Sequence, residues 1–312
     1  MENTGRKKTG SGLIIYEDRW KKEGTLLRRM FPRFASHLDY WLKGMTLDKK
    51  HRGFIDSFMQ RPDMPLFSHI ELETHNRCNG TCAFCGVNRN APQRPYARMT
   101  EALYEAILAE LSGLHFRGSL SLHSNNEPLL DKRLPDFAAE ARKRLPKAKI
   151  RMFTNGTLLT LDLYRKILPS FDRIFINNYA PDAVMHSNVR EIHDFCRSPE
   201  GEKLLEGKTL IIQLRDPNVV LSSRGGSAPN REAPARPIRA LCRLPFKQFI
   251  IRPDGGVSLC CNDALGKVTL GTLGEQSMLE VWQGKKATAM RRAMVEKGRA
   301  AIPLCALCDF VK

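Results

Sequence analysis

From residue 67 onward, short apolar runs of period two alternate with longer stretches of helical period. HIELET (69–74), GSLSLHS (118–124), KIRMFTN (149–155), RIFINN (173–178) and TLIIQLR (209–215) carry the β-branched, alternating make-up of strands. MTEALYEAILAELSGL (99–114), LPDFAAEARKRL (134–145) and LDLYRKIL (161–168) repeat apolar residues every three or four positions, so they read as amphipathic helices. Thr100 stands where a helix N-cap belongs, with a hydroxyl to accept a free backbone N–H. Regular alternation of strand and helix implies parallel βαβ units, a sheet or barrel whose site lies at the C-terminal strand ends.

The pattern changes on both sides of this block. LSSRGGSAPNREAPARP (221–237) is rich in Gly, Pro and Ser and reads as a linker or active-site loop. FKQFIIRPDGGVSLCC (246–261) is two strands around an Asp-Gly turn, and MLEVWQGKKATAMRRAMVEKG (278–298) is helical. Residues 1–66 read as a basic extension, with an amphipathic stretch FASHLDYWLKGM (34–45) and no alternating strand pattern. The expected organisation is an extension over 1–66, an α/β domain over 67–235 and a small appendage over 236–312.

A chain of 312 residues with 42% apolar content builds a full core. No apolar run is long enough for a membrane span, and Leu13–Tyr16 is too short for a secretory signal, so a cytoplasmic protein with no membrane partner is expected. The net charge of +17 favours anionic partners, a small substrate among them. The basic run 285–299 reads more plainly as a solvated helix face, and no aromatic-interleaved signature accompanies it, so nucleic acid is not the expected partner.

Nine cysteines in a reducing compartment point to metal ligands or catalytic groups rather than disulfides. Three lie in THNRCNGTCAFCGVNRN (74–90), as Cys78, Cys82 and Cys85. Three thiols on one loop lack the fourth ligand of an ordinary zinc site. They suit a [4Fe-4S] cluster with one iron left open for another molecule.

At this motif the chain resembles the radical S-adenosylmethionine (SAM) superfamily. The resemblance implies a partial TIM-like barrel of five or six parallel strands, SAM chelated at the open iron, and a 5′-deoxyadenosyl radical that abstracts hydrogen. It also implies a reduced flavodoxin or ferredoxin as electron donor. Phe84 then occupies the position that packs the adenine. NNEPLL (125–130) stands where the family has Gly-Gly-Glu-Pro, with Glu127 and Asn126 as SAM contacts. Asn125 and Asn126 replace the glycines, which puts the backbone contacts there in question. Asn155 in FTNGTLL (153–159) corresponds to a ribose contact, and Arg215 to a partner of the SAM carboxylate.

Cys242, the adjacent Cys260 and Cys261, and Cys305-x2-Cys308 form a second group; Cys196 stands apart. A Cys-x2-Cys alone could be zinc, and a treble-clef-like zinc site of four cysteines is the competing reading. The stretch from Cys242 to Cys308 resembles the SPASM/twitch appendage, a small β-hairpin plus helix domain that holds an auxiliary [4Fe-4S] cluster. The resemblance implies Cys242, Cys260, Cys305 and Cys308 as ligands. The offset from Cys242 to Cys260 matches the twitch-type cyclitol dehydrogenases; Cys261 is the alternative ligand. Alternating strand geometry sends the two adjacent thiols to opposite faces, so only one reaches the cluster, and Cys261 is packing or a hydrogen-atom donor.

The implied enzyme is a radical SAM oxidoreductase with two [4Fe-4S] clusters, dehydrogenating or epimerising an amino sugar, cyclitol or nucleotide sugar. A peptide-modifying maturase is the alternative within the superfamily. A zinc-stabilised nucleic-acid-binding protein is the alternative outside it.

Overall fold

The structure, a computed structural model, describes residues 5–8, 12–17, 48–61, 63–89, 94–181 and 184–310. The strands are β1 (Gly5–Lys8), β2 (Leu13–Glu17), β3 (His69–Leu72), β4 (Ser119–Ser121), β5 (Lys149–Thr154), β6 (Arg173–Tyr179), β7 (Thr209–Arg215), β8 (Gln248–Ile251), β9 (Gly256–Ser258) and β10 (Thr269–Thr272). They form one sheet in the order β1-β2-β7-β6-β5-β4-β3-β8-β9-β10. From β2 to β8 every neighbouring pair is parallel; the pairs at the two ends are antiparallel. The fold is the expected α/β partial barrel, with β3 to β7 as its consecutive strands.

Period-two alternation splits this sheet into two chemistries. Ile70, Leu72, Leu120, Ile150, Met152, Ile174, Ile176, Leu210 and Ile212 are buried in one apolar cluster with residues of the covering helices. Those helices are Glu101–Gly113, Leu134–Arg144, Leu161–Ile167 and Ser187–Phe195. Thr100 caps the first of them as expected, its side chain accepting from the Leu103 N–H at 3.2 Å. The opposite face carries His69, Glu71, Ser121, Arg151, Phe153, Phe175, Asn177 and Gln213 in matching registers. Phe153 and Phe175 stack there at 4.0 Å. The polar face is the one available to a ligand.

Three elements depart from the sequence reading. LIIYE in the extension is β2, parallel to β7, and it seals the barrel edge with Leu13 fully buried. The extension is therefore partly sheet, a correction to the expectation of no strand pattern. The helical stretch 278–298 is two helices, Met278–Gln283 and Lys285–Lys297, because Gly284 is extended and a Cβ there would meet the Glu280 carbonyl at 2.5 Å. Helical residues 48–59 pack on the appendage: Asp48 Oδ1 accepts from Leu241 N at 2.9 Å, and the His51 ring bonds the Leu241 carbonyl at 2.8 Å. The stretch 34–45 lies outside the described residues.

The appendage continues the barrel sheet. β8 pairs with β3, and β8 and β9 make the expected hairpin around Asp254-Gly255, where Gly255 has φ 81°. Its core centres on Trp282, whose Nε1 donates to the Pro65 carbonyl at 2.9 Å and whose ring lies 3.7 Å from the buried Arg291 guanidinium. Among the described residues no helix is long and apolar enough to cross a membrane.

Candidate active site

The three-cysteine loop leaves the C-terminal end of β3 and is clamped from both sides. On one side the His75 ring bonds the Glu127 carbonyl at 3.0 Å, and Glu127 N donates to the Arg77 carbonyl at 3.0 Å. On the other, Ala83 N donates to the Pro217 carbonyl at 3.1 Å. Gly86 packs so closely on the Ser227 backbone that a Cβ would meet its oxygen at 2.4 Å. The loop thus holds its shape through its neighbours. Cys78, Cys82 and Cys85 are half-buried and line a single cavity of about 410 Å³.

The other sequence-predicted residues converge there with one exception. Phe84 is buried, lines the cavity and packs on Tyr179 with ring centres 5.4 Å apart. Asn126 and Asn155 line it too. Glu127 reaches the wall already engaged: it accepts from Thr154 Oγ1 at 2.7 Å, Asn155 N at 2.7 Å and Leu129 N at 3.1 Å. Arg215 is the exception, since its side chain is hydrogen-bonded to Tyr179 and it is not among the residues of the cavity wall. The cation at the wall is Arg224, from the Gly-rich loop.

Arg224 was not legible as a site residue. It has a left-handed backbone at φ 48°, unusual outside glycine, and its guanidinium donates to the Asn125 side chain and to the Cys261 carbonyl. His123 was also missed. Its Nδ1 accepts from Phe153 N at 3.3 Å, which leaves the ring proton on Nε2, and burial pushes its pKa down to about 4. The imidazole is therefore neutral at physiological pH.

Burial pushes Cys78 up to about 12 and Cys82 to about 11, and raises Glu127 against its three hydrogen bonds. Thiolates in such surroundings need a cationic partner, which iron supplies. Two polar atoms on residues of the wall, Asn126 Nδ2 and Asn177 Oδ1, are buried without a hydrogen-bond partner. Buried polar groups are ordinarily paired, so a ligand that satisfies both fits this cavity.

The second group also gathers. Cys260 is buried and interacts electrostatically with Cys242 and Cys305; Cys242 and Cys305 each interact with Cys308. Cys261 interacts with Glu71, Arg224 and Gln248 on the barrel side, and also with Cys242 and Cys260. The pair follows β9 rather than lying on it, so strand alternation is not what separates the thiols. Both sets suit [4Fe-4S] clusters. No three His, Cys, Asp or Glu side chains among the described residues converge as a single ion requires, and a cube with irons at separate corners needs no such convergence. Cys196, the ninth cysteine, is buried against the Tyr164 hydroxyl at 3.3 Å, away from both groups.

Residues 72–207 match the radical SAM superfamily, and residues 242–309 match the SPASM iron-sulfur cluster-binding domain. The chain belongs to the radical SAM superfamily, in the group with a SPASM-type C-terminal domain. It is an oxidoreductase whose cofactors are SAM and [4Fe-4S] clusters, the auxiliary one included. Among individual proteins it is 30% identical over 248 residues to the S-adenosyl-L-methionine-dependent 2-deoxy-scyllo-inosamine dehydrogenase of Niallia circulans, covering 79% of this chain and 94% of that one. The crystal structure of BtrN with AdoMet and 2-DOIA superposes with a TM-score of 0.67 at 29% identity over the same shares. BtrN in an open conformation gives 0.58 at 25% identity.

Glu127→Ala would leave three donors facing a buried void. We expect a stability loss on the order of 2–4 kcal/mol in chemical denaturation and weaker SAM binding, with iron content unchanged. Glu127→Gln, which keeps one oxygen and with it the bonds from Thr154 Oγ1 and Leu129 N, should lose less than Glu127→Ala. Equal stability of Glu127→Ala and the parent would show that these bonds contribute nothing.

Proposed function

We propose that the protein dehydrogenates a secondary alcohol of a small polar substrate of the aminocyclitol or amino sugar class. In this reading Cys78, Cys82 and Cys85 hold the SAM-binding cluster, and Cys242, Cys260, Cys305 and Cys308 hold the auxiliary cluster. The observation that carries it is the alignment with a cyclitol dehydrogenase over 94% of that enzyme's length. The two family matches, which between them include both cysteine groups, support it.

When bound, the cofactors supply one-electron chemistry: reductive cleavage of SAM, hydrogen abstraction by the 5′-deoxyadenosyl radical, and acceptance of the electron that remains once the substrate radical loses its proton. The chain's own residues bind and orient. Phe84 and Tyr179 give an apolar wall against which an adenine packs. Asn126 Nδ2 is a free donor and Asn177 Oδ1 a free acceptor for ligand polar groups. His123, neutral with its proton on Nε2, donates to a substrate oxygen without adding charge. Arg224 braces Asn125 against the Cys261 backbone and so ties the barrel motif to the appendage. A reduced flavodoxin or ferredoxin is the proposed electron donor.

The test is anaerobic incubation of reconstituted enzyme with SAM, dithionite and 2-deoxy-scyllo-inosamine deuterated at each carbinol carbon in turn. One deuterated position should yield deuterated 5′-deoxyadenosine and an equal amount of the two-electron-oxidised ketone. SAM cleavage with no deuterium transfer and no ketone would exclude this substrate class.

A further inference from the structure

The geometry points to Arg299 as the buried counter-charge of the auxiliary cluster, the residue that raises its reduction potential and so makes it an electron acceptor. This rests on the proposed ligand set of Cys242, Cys260, Cys305 and Cys308. Arg299 is only 2% exposed. Its guanidinium donates from Nε to the Ala240 carbonyl at 2.8 Å, from Nη1 to the Cys308 carbonyl at 3.1 Å, and from Nη2 to the Phe310 carbonyl at 2.9 Å. All three acceptors are neutral. Among the described residues no carboxylate forms an ion pair with it; Asp309, next to Cys308, is paired with Arg231 at 2.6 Å.

A buried guanidinium without an anion is costly, and proteins ordinarily pair such a charge. The three carbonyls place this one between the segment that leads into Cys242 and the segment that carries Cys305 and Cys308. Its guanidinium lies within Coulombic reach of both Cys242 and Cys305. Other charges nearby do not replace it. Lys247 faces Cys242 and Cys261 and is partly solvated. Asp263 opposes it at Cys305, but with the smaller effect, and its carboxylate is already engaged by the Lys267 and Val268 N–H groups.

The electrostatic consequence has a definite sign. A [4Fe-4S] core with four thiolates carries two negative charges when oxidised and three when reduced by one electron. A fixed neighbouring cation stabilises the more negative form more strongly, so the potential rises. An enzyme that must take an electron from its substrate after hydrogen abstraction needs that direction of bias.

The test uses the full chain, reconstituted anaerobically, with Cys78, Cys82 and Cys85 changed to Ala so that only the auxiliary cluster is observed. Redox titration monitored by electron paramagnetic resonance then compares Arg299 with Arg299→Lys and Arg299→Gln. Arg299→Gln should keep its iron and shift the oxidised-to-reduced ratio at a fixed potential at least tenfold toward oxidised, equivalent to 59 mV for a one-electron couple. Arg299→Lys, which keeps the charge, should stay within threefold of the parent. A fully loaded Arg299→Gln cluster with an unchanged potential would overturn the proposal. If Arg299→Gln does not fold, Arg299→Met, which fills similar volume without the charge, decides: a tenfold shift toward oxidised supports the role of charge, and an unchanged potential with full iron overturns it. A parent without any iron would instead overturn the ligand set, with Arg299 intact.

Discussion

Changing Cys78, Cys82 and Cys85 together to Ala should remove half of the iron and all SAM cleavage, while the protein remains folded. The reconstituted parent should hold about eight irons in two [4Fe-4S] clusters and the triple variant about four. The fold survives because the three thiols are half-buried loop groups, outside the apolar cluster that joins the sheet to its helices. The loop backbone is also held independently, through His75, Arg77 and Ala83. Activity should not survive, since on the proposed ligand set the iron that chelates SAM is lost with these thiolates. The check is iron and sulfide analysis together with 5′-deoxyadenosine formation under dithionite. Stoichiometric zinc without iron in the parent would overturn the ligand assignment for both groups.

Local signals made most of the barrel legible. TLIIQLR has the boundaries of β7, because its apolar, β-branched run is bounded on both sides by polar residues. Thr100 and the Asp-Gly turn were read because capping and tight turns are decided within four residues. β2 escaped because a five-residue strand is specified by the β7 edge it pairs with, almost 200 positions away, and no short-range pattern encodes that pairing. Arg224 escaped for the same physical reason. Its position depends on the loop folding back so that Ser223 Oγ donates to the Leu307 carbonyl at 2.8 Å and Asp309 Oδ1 accepts from Ser223 N.

The Asn125-Asn126 departure shows a third limit. The sequence shows two glycines replaced. It does not show that the new side chains take up new roles, Asn126 Oδ1 accepting from Ser124 N at 3.0 Å and Asn125 accepting from Arg224. The Cys260-Cys261 pair is the converse. The two residues sit in a turn after β9, so strand alternation does not assign their directions; both interact with Cys242, and Cys261 alone also interacts with Glu71 and Arg224.

The proposed choice of Cys260 over Cys261 as ligand gives the second large effect. Cys260→Ala should lose the auxiliary cluster, about four irons, whereas Cys261→Ala should keep all of the iron. Cys260 faces Cys242 and Cys305, and an alanine there leaves a cluster with three thiolates in a buried site with no replacement donor. Cys261 also interacts with Glu71, Arg224 and Gln248 on the barrel side, and on the proposed ligand set its loss removes no cluster thiolate. The reaction separates the two variants again. Cys260→Ala should still cleave SAM, because the first cluster is intact, yet form no ketone, because the substrate's electron has no acceptor. Cys261→Ala should form ketone at a rate within a few fold of the parent, whereas an epimerase that used this thiol as hydrogen donor would stall after abstraction. Iron counts therefore identify the ligand, and product analysis identifies the reaction. Loss of iron from Cys261→Ala, with Cys260→Ala fully loaded, would transfer the ligand role to Cys261 and require the turn after β9 to rotate by one residue.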